Sequence, residues 1–158
     1  RFAELAGLIE ASASSRLRSL EGPNCSHIAR RARELMAQLY AILVAAHSRK
    51  AAPKASLDAI ASEVRRAHAA RALVATPTSN AVKHGWISPS SPEIPLHACA
   101  LAIETLLVMA DHSRIRKCGA SDCEVYFIDT SKAHRRQWCS MQNCGNREKQ
   151  RRWRSGAD

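Results

Sequence analysis

The chain has 158 residues, 46% of them apolar and only 4% aromatic, and carries a formal net charge of +10. That length holds one ordinary core, or one core plus a small stapled module, and excludes two full-size domains. The apolar fraction excludes a chain dominated by disorder, and the charge favours a polyanionic partner or membrane surface over an acidic protein's usual company.

Phe2 to Ala13 is a weak helical segment. From Ser26 to His47, Ile28, Ala32, Leu35, Met36, Leu39, Tyr40, Leu43 and Ala46 recur at spacings of three and four, the mark of one apolar helix face, with Arg30, Arg31 and Arg33 on the other. A second helix is expected to start at Ser56 as N-cap and run to about Arg71, burying Leu57, Ile60, Ala61, Val64 and Ala67. RALVAT and AVKHGWI then flank Pro77-Thr78-Ser79-Asn80, which predicts a hairpin of strands near 72 to 76 and 81 to 87. Residues 88 to 95, SPSSPEIP, read as a loop whose last proline suits the first turn of a buried helix. The apolar stretch of that helix, Leu96 to Ala110, is interrupted by His97, Glu104 and Thr105 and is shorter than the roughly 20 residues a bilayer span requires. No membrane association is expected. No signal-peptide pattern opens the chain, so the expected setting is intracellular, reducing and cytoplasmic.

The expected fold class is therefore mainly α with a small β-hairpin: a helical domain over 1–113, its hairpin near 72–87, followed by a C-terminal module over 114–158 made of short strand or loop and helix. A glycine-rich phosphate loop, paired carboxylates at helical spacing and a Gly-x-Ser-x-Gly elbow are all missing from the sequence, so no catalytic residues are assigned and the chain is not expected to be an enzyme. His27, His47, His68, His84, His97 and His112 are scattered, and read as surface or satisfied core residues. Cys99, on the apolar helix, reads as a small buried hydrophobe.

The other chemistry lies near the C-terminus. Cys118 and Cys123, then Cys139 and Cys144, form two close pairs on either side of a fifteen-residue segment. Such a chain can turn back and bring four sulfurs to one tetrahedral ion, for which zinc is the natural occupant. Asp129 and His134 lie inside the segment as spare ligands; disulfides are the bland alternative, disfavoured outside an oxidising compartment. About 40 residues with so few large apolar side chains cannot bury enough surface to fold alone, whereas structural zinc contributes on the order of 10 kcal/mol or more.

The same quarter of the chain concentrates the charge: eleven Lys or Arg against four acids between Arg114 and Arg154. A helix from Ser140 to Arg154 would place Arg147, Arg151 and Arg154 on one face, with Lys149 and Arg152 beside them and Arg135 and Arg136 approaching from the preceding loop. These seven are the candidate nucleic-acid contacts. Contact with five to seven phosphates would give a salt slope of roughly −4.5 to −6. Arg147 has an alternative partner in Asp129, Asn146 an alternative role near the metal, and Trp138 and Trp153 are expected to pack inside rather than stack on bases.

From Arg116 to Arg154, the two cysteine pairs, Phe-x-Asp at 127 to 129, Arg-x-Trp-Cys-Ser at 136 to 140 and Cys-Gly-Asn-Arg at 144 to 147 occur in order. This stretch resembles the CGNR zinc finger, the usual C-terminal partner of the ABATE domain in bacterial stress-induced transcription regulators. The resemblance implies zinc and suggests DNA binding, with the helical domain sensing a small-molecule effector or forming a homodimer. A zinc-stabilised surface for a protein or an RNA stands as the alternative.

Overall fold

The computed structural model describes residues 15, 23–76, 81–108 and 111–156. The chain divides into two compact units, 1–108 and 109–158. The helix expected over Phe2 to Ala13 and the turn Pro77 to Asn80 lie outside the described residues.

In the first unit, helices α1 (Pro23–His47) and α2 (Lys54–Ala69) are followed by strands β1 (Arg71–Ala75) and β2 (Val82–Trp86), then by helix α3 (Ile94–Val108). The strands pair antiparallel, Arg71 opposite Trp86 and Ala75 opposite Val82. Helix α2 packs against both α1 and α3. The shared core is Leu35, Leu39 and Ile42 from α1, Ile60, Val64 and Ala67 from α2, and Leu96, Ala100 and Ile103 from α3. Each Leu or Ile fully buried there contributes about 2 kcal/mol by leaving water. Helix α1 ends where Arg49 enters the left-handed region at φ 54°, the Lys50 and Arg49 N–H groups donating to the Ala45 and Ala46 carbonyls. That closure satisfies carbonyls which the helix itself leaves open.

The buried face of α1 is turned relative to the expected one. Ile42 and Ala45 are buried while Met36, Tyr40 and Ala46 stand exposed. The run AILVAA is apolar all round, so its period cannot choose a face; packing against α2 does. Ser56 is not the N-cap of α2. Pro53 occupies that position, and Ser56 lies buried inside the helix with its hydroxyl donating to Gln38 Oε1 at 2.8 Å. Leu57, expected in the core, is exposed. Proline at the helix entrance has its φ preset and no N–H to satisfy, which lets the helix begin three residues early.

Arg31 departs furthest from expectation. It is not on a solvated basic face: with its side chain 11% exposed, it donates from Nε and Nη2 to the two oxygens of Glu63 at 3.0 and 2.7 Å, and from Nη1 to Glu93. One guanidinium thus ties α1 to α2 and to the entrance of α3. Its hydrogen bonds to Glu63 hold its pKa above the ordinary arginine value against the opposing effect of burial.

His97 lies beneath this network, buried, its ring stacked on Trp86 with centroids 6.1 Å apart and Nε2 3.9 Å from Glu93 Oε2. Its Nδ1 has no hydrogen-bond partner among the described residues. Burial lowers its pKa, with Arg31 and Arg66 adding to that effect and Glu93 and Glu63 opposing it. A histidine whose folded pKa is depressed binds fewer protons than in the unfolded chain. Stability is therefore full above the ordinary histidine pKa of about 6.5 and falls as pH drops below it. Urea titrations from pH 7.5 to 5 are expected to show this decline for the helical unit, and His97→Phe, which keeps a ring against Trp86, is expected to flatten it.

Among the described residues, no helix is long and apolar enough to cross a membrane.

The second unit opens with a 3-10 turn (His112–Arg114) and a second hairpin, β3 (Ile115–Lys117) and β4 (Tyr126–Ile128), with Arg116 opposite Phe127. A π-type turn (Met141–Gly145) leads into helix α4 (Asn146–Arg154). Among the described residues the fold is thus mainly helical with two small hairpins, one more than the sequence announces. Strands of three residues are too short to show a period.

Candidate metal centre and basic helix

Cys118 directly follows β3, and its N–H donates to the Val125 carbonyl at 2.9 Å, closing the hairpin at the level of the first thiol. The Cys123 N–H donates to the Ala120 carbonyl, turning the loop so that the second thiol comes back beside the first. The second pair needs a different device. Residues five apart in a regular α-helix point about 140° away from each other, so Cys139 and Cys144 could not share a ligand site on one. Instead Ser140 is extended, its side chain caps the Asn143 N–H at 3.2 Å, and the Gly145 N–H reaches back five residues to the Ser140 carbonyl at 3.0 Å. This wide turn brings Cys144 round to Cys139 before the ordinary helix starts. Gly145 is buried there, and a Cβ on it would stand 2.5 Å from Met141 Sδ and 3.3 Å from Trp138.

The four sulfurs lie within 4.8 Å of one another. Cys123 and Cys139 Sγ are 3.8 Å apart, Cys139 and Cys144 Sγ 3.5 Å. Sulfurs at the corners of a tetrahedron with Zn–S bonds of 2.3 Å would stand about 3.8 Å apart, whereas a disulfide requires about 2.05 Å. All four cysteines are free. The Cys139 N–H points to Cys118 Sγ at 3.4 Å and Arg147 Nη2 to Cys144 Sγ at 3.5 Å, donors that favour thiolate. Burial opposes ionisation of Cys118, yet hydrogen bonds from the backbone of Cys139 and Ala120 and from the neighbouring thiols bring its pKa down to about 7. Burial together with hydrogen bonds to the other three thiols pushes Cys139 up to about 12. A cluster that accepts one negative charge readily and resists the next is suited to a dication at its centre. Cys118, Cys123, Cys139 and Cys144 would hold Zn²⁺, and with sulfur at all four positions the ion would supply folding free energy to the module.

The spare ligands are used elsewhere. Asp129 is wholly buried and accepts from the Ser131 N–H at 2.9 Å, the Ser131 hydroxyl at 2.6 Å and the Arg136 N–H at 2.9 Å. The Ser131 hydroxyl chiefly holds its pKa down to about 2. His134, at φ 49°, turns the same loop, and its carbonyl accepts from Arg116. Arg147 therefore does not pair with Asp129; its carboxylate is Asp122, at 2.8 Å.

The seven candidate cations fall into two groups. Arg136 lies 4.9 Å over the Phe127 ring and donates to the carbonyls of Trp138, at 2.8 Å, and Cys139. Arg147 bridges Asp122 and Cys144, and Arg151 meets Glu148 at 2.6 Å, Asp122 at 3.5 Å and the Ser121 hydroxyl. These three are clasps of the module, although Arg147 and Arg151 remain half exposed. Arg135, Lys149, Arg152 and Arg154 are exposed and form no ion pair with any described residue. Trp138 packs against the cysteine cluster as expected, but Trp153 does not pack: it is 84% exposed, on the side of α4 away from Arg147, Glu148 and Arg151.

Residues 114–156 match the family model described as the CGNR zinc finger. The match spans both hairpin strands, all four cysteines and α4, so the finger coincides with the site described above. Comparison with curated proteins finds no match. In the finger's signature tetrapeptide, Cys144 is the fourth sulfur, Gly145 fills a space too tight for a side chain without displacing Met141, Asn146 opens the helix on its outer face, and Arg147 clasps Asp122 to the sulfur cluster. Sequence reasoning missed Asp122 and Glu148 as partners of the arginines. Glu148 stands three residues before Arg151, a helical spacing visible in advance, whereas Asp122 is 25 residues from Arg147 and gives no local signal.

Proposed function

We propose that this protein is a cytoplasmic, non-enzymatic transcription regulator whose zinc finger binds duplex DNA, with the helical unit acting as an ABATE-type domain that responds to stress through an effector or a second copy of the chain. The observation that supports this best is the unequal use of charge in the finger. All four acids between Arg114 and Arg154 are engaged internally: Asp122 by Arg147 and Arg151, Glu124 by Lys117 at 2.6 Å, Asp129 by Ser131 and Arg136, and Glu148 by Arg151. Among the described residues, the exposed cations Arg135, Lys149, Arg152 and Arg154 are left without counter-charge on or beside a helix anchored at the sulfur cluster. That arrangement suits a phosphate backbone, which rewards fixed positive charges by releasing counterions.

Phosphate contact by three or all four of these cations gives a slope of log affinity against log salt of about −2.7 to −3.6, in place of the −4.5 to −6 expected when more of the candidate cations engage. Titrating the zinc-loaded protein with a fluorescent duplex between 50 and 200 mM salt measures it. Arg152→Ala with Arg154→Ala is expected to make the slope shallower by about 2 with zinc content unchanged. Arg147→Ala is expected to weaken zinc retention and leave the slope nearly as it was. Absence of duplex binding at 50 mM salt overturns the proposal.

A further inference from the structure

Helix α4 presents two unlike faces. At about 100° per residue, Arg147, Glu148 and Arg151 fall within one arc, and each is held against the finger by Asp122 or Ser121. That clasp sets the rotation of the helix. The opposite arc, also about 100° wide, carries Asn146, Lys149, Gln150 and Trp153, all exposed. Arg154 borders this arc on one side and Arg152 on the other. The face turned outward is therefore not the row of arginines at 147, 151 and 154, but two amides, an ammonium and an indole between two guanidinium groups.

We infer that Asn146, Lys149, Gln150 and Trp153 form the base-reading strip of the finger, inserted in the major groove of duplex DNA, with Arg152 and Arg154 on the phosphates to either side. The inference rests on the duplex-binding reading above and adds sequence discrimination to it. A binder of phosphate alone has no use for the rest of this strip. The amides of Asn146 and Gln150 each offer a donor and an acceptor at the spacing of adenine N6 and N7, Lys149 matches the guanine O6 and N7 acceptors, and the indole of Trp153 offers an apolar surface for a thymine methyl. Size agrees. An α-helix 10 to 12 Å across fits a major groove about 12 Å wide, and nine residues, about 13 Å long, span about four base pairs. The deep, narrow major groove of an A-form RNA helix would not admit it.

The test is selection from a random duplex pool by the full-length zinc-loaded protein, repeated with Asn146→Ala plus Gln150→Ala and with Arg152→Ala plus Arg154→Ala. The wild type is expected to enrich a motif of about four base pairs containing adenine. The amide variant should lose about ten- to a hundredfold discrimination for that motif while keeping its affinity for unrelated duplex and its salt slope. The arginine variant should weaken all duplexes alike and select the same motif. Zinc stoichiometry and far-UV circular dichroism establish that each variant is folded. A motif unchanged in the amide variant overturns the strip. Duplex binding with no motif enriched also overturns it, yet leaves the proposed function standing. Tighter binding to single strands that Trp153→Ala abolishes would assign the indole to base stacking and overturn the major-groove placement. Failure to bind duplex at 50 mM salt removes both.

Discussion

Cys144→Ser is expected to release zinc and unfold residues 114–156 while the helical unit keeps its structure. The finger's buried cluster is small: Cys118, Ala120 and Cys144, with Cys123, Phe127, Trp138 and Cys139 packed against it. Four of those seven residues are the ligands themselves, so removing the ion removes the reason for them to be together. Against a structural zinc contribution of about 10 kcal/mol or more, the apolar contacts of Ala120, Phe127 and Trp138 cannot hold the fold. Cys144 also anchors the π-type turn and, through Arg147, the clasp to Asp122. Its loss should therefore free α4 from its fixed rotation as well. Zinc stoichiometry below one, proteolysis confined to the C-terminal unit and largely retained helical circular dichroism are the expected results, since α1, α2 and α3 belong to the other unit. Full zinc retention in the variant would refute the ligand assignment.

Arg31→Met is expected to cost the helical unit about 3 kcal/mol or more, a large part of the 5 to 15 kcal/mol by which domains are stable. The substitution leaves Glu63, 13% exposed, without the two hydrogen bonds that compensate for its removal from water, and leaves Glu93 without its guanidinium. Glu63 has its pKa lowered even though burial acts to raise it, because the Arg31 hydrogen bonds and charge outweigh that burial. Without Arg31, the half-exposed Arg66 guanidinium, 3.0 Å from Glu63 Oε1, is the hydrogen-bond partner left to oppose that burial. Replacing the more buried pair by apolar residues of similar size, Arg31→Met with Glu63→Met, should recover most of the loss, because Glu93, the carboxylate left without its guanidinium, is 38% exposed and can be solvated. Urea unfolding followed by circular dichroism distinguishes the cases: equal instability in the single and double variants would mean that the network is not what couples α1 to α2.

These two predictions differ in how far the sequence alone reaches them. Helix, hairpin, helix could be read from periodicity, since each pattern needs only residues within one element. The metal centre was equally open to reading, because two close cysteine pairs with a flexible segment between them restrict which four sulfurs can meet, and chemistry restricts what they can hold. Rotation was not legible. The apolar period of α1 is compatible with a face containing Met36 and Tyr40 or one containing Ile42 and Ala45, and only the packing of α2 against it selects the second. The same holds for α4, where a charge period of three and four places Arg147, Arg151 and Arg154 together without saying that the first two turn inward to Asp122.

By itself, then, the sequence determined the four sulfur ligands, the helical character of the first unit and the excess of positive charge near the C-terminus, all of which depend on residue type and short spacing. The tertiary structure alone decided that Arg31 is a buried tie, that Arg136, Arg147 and Arg151 are clasps, and that Trp153 faces outward. The physical reason is that a long cationic side chain takes its role from whichever carboxylate or carbonyl lies within about 3 Å of it. For Arg147 and Arg31 those partners stand 25, 32 and 62 residues away along the chain, and chain separation carries no information about that distance.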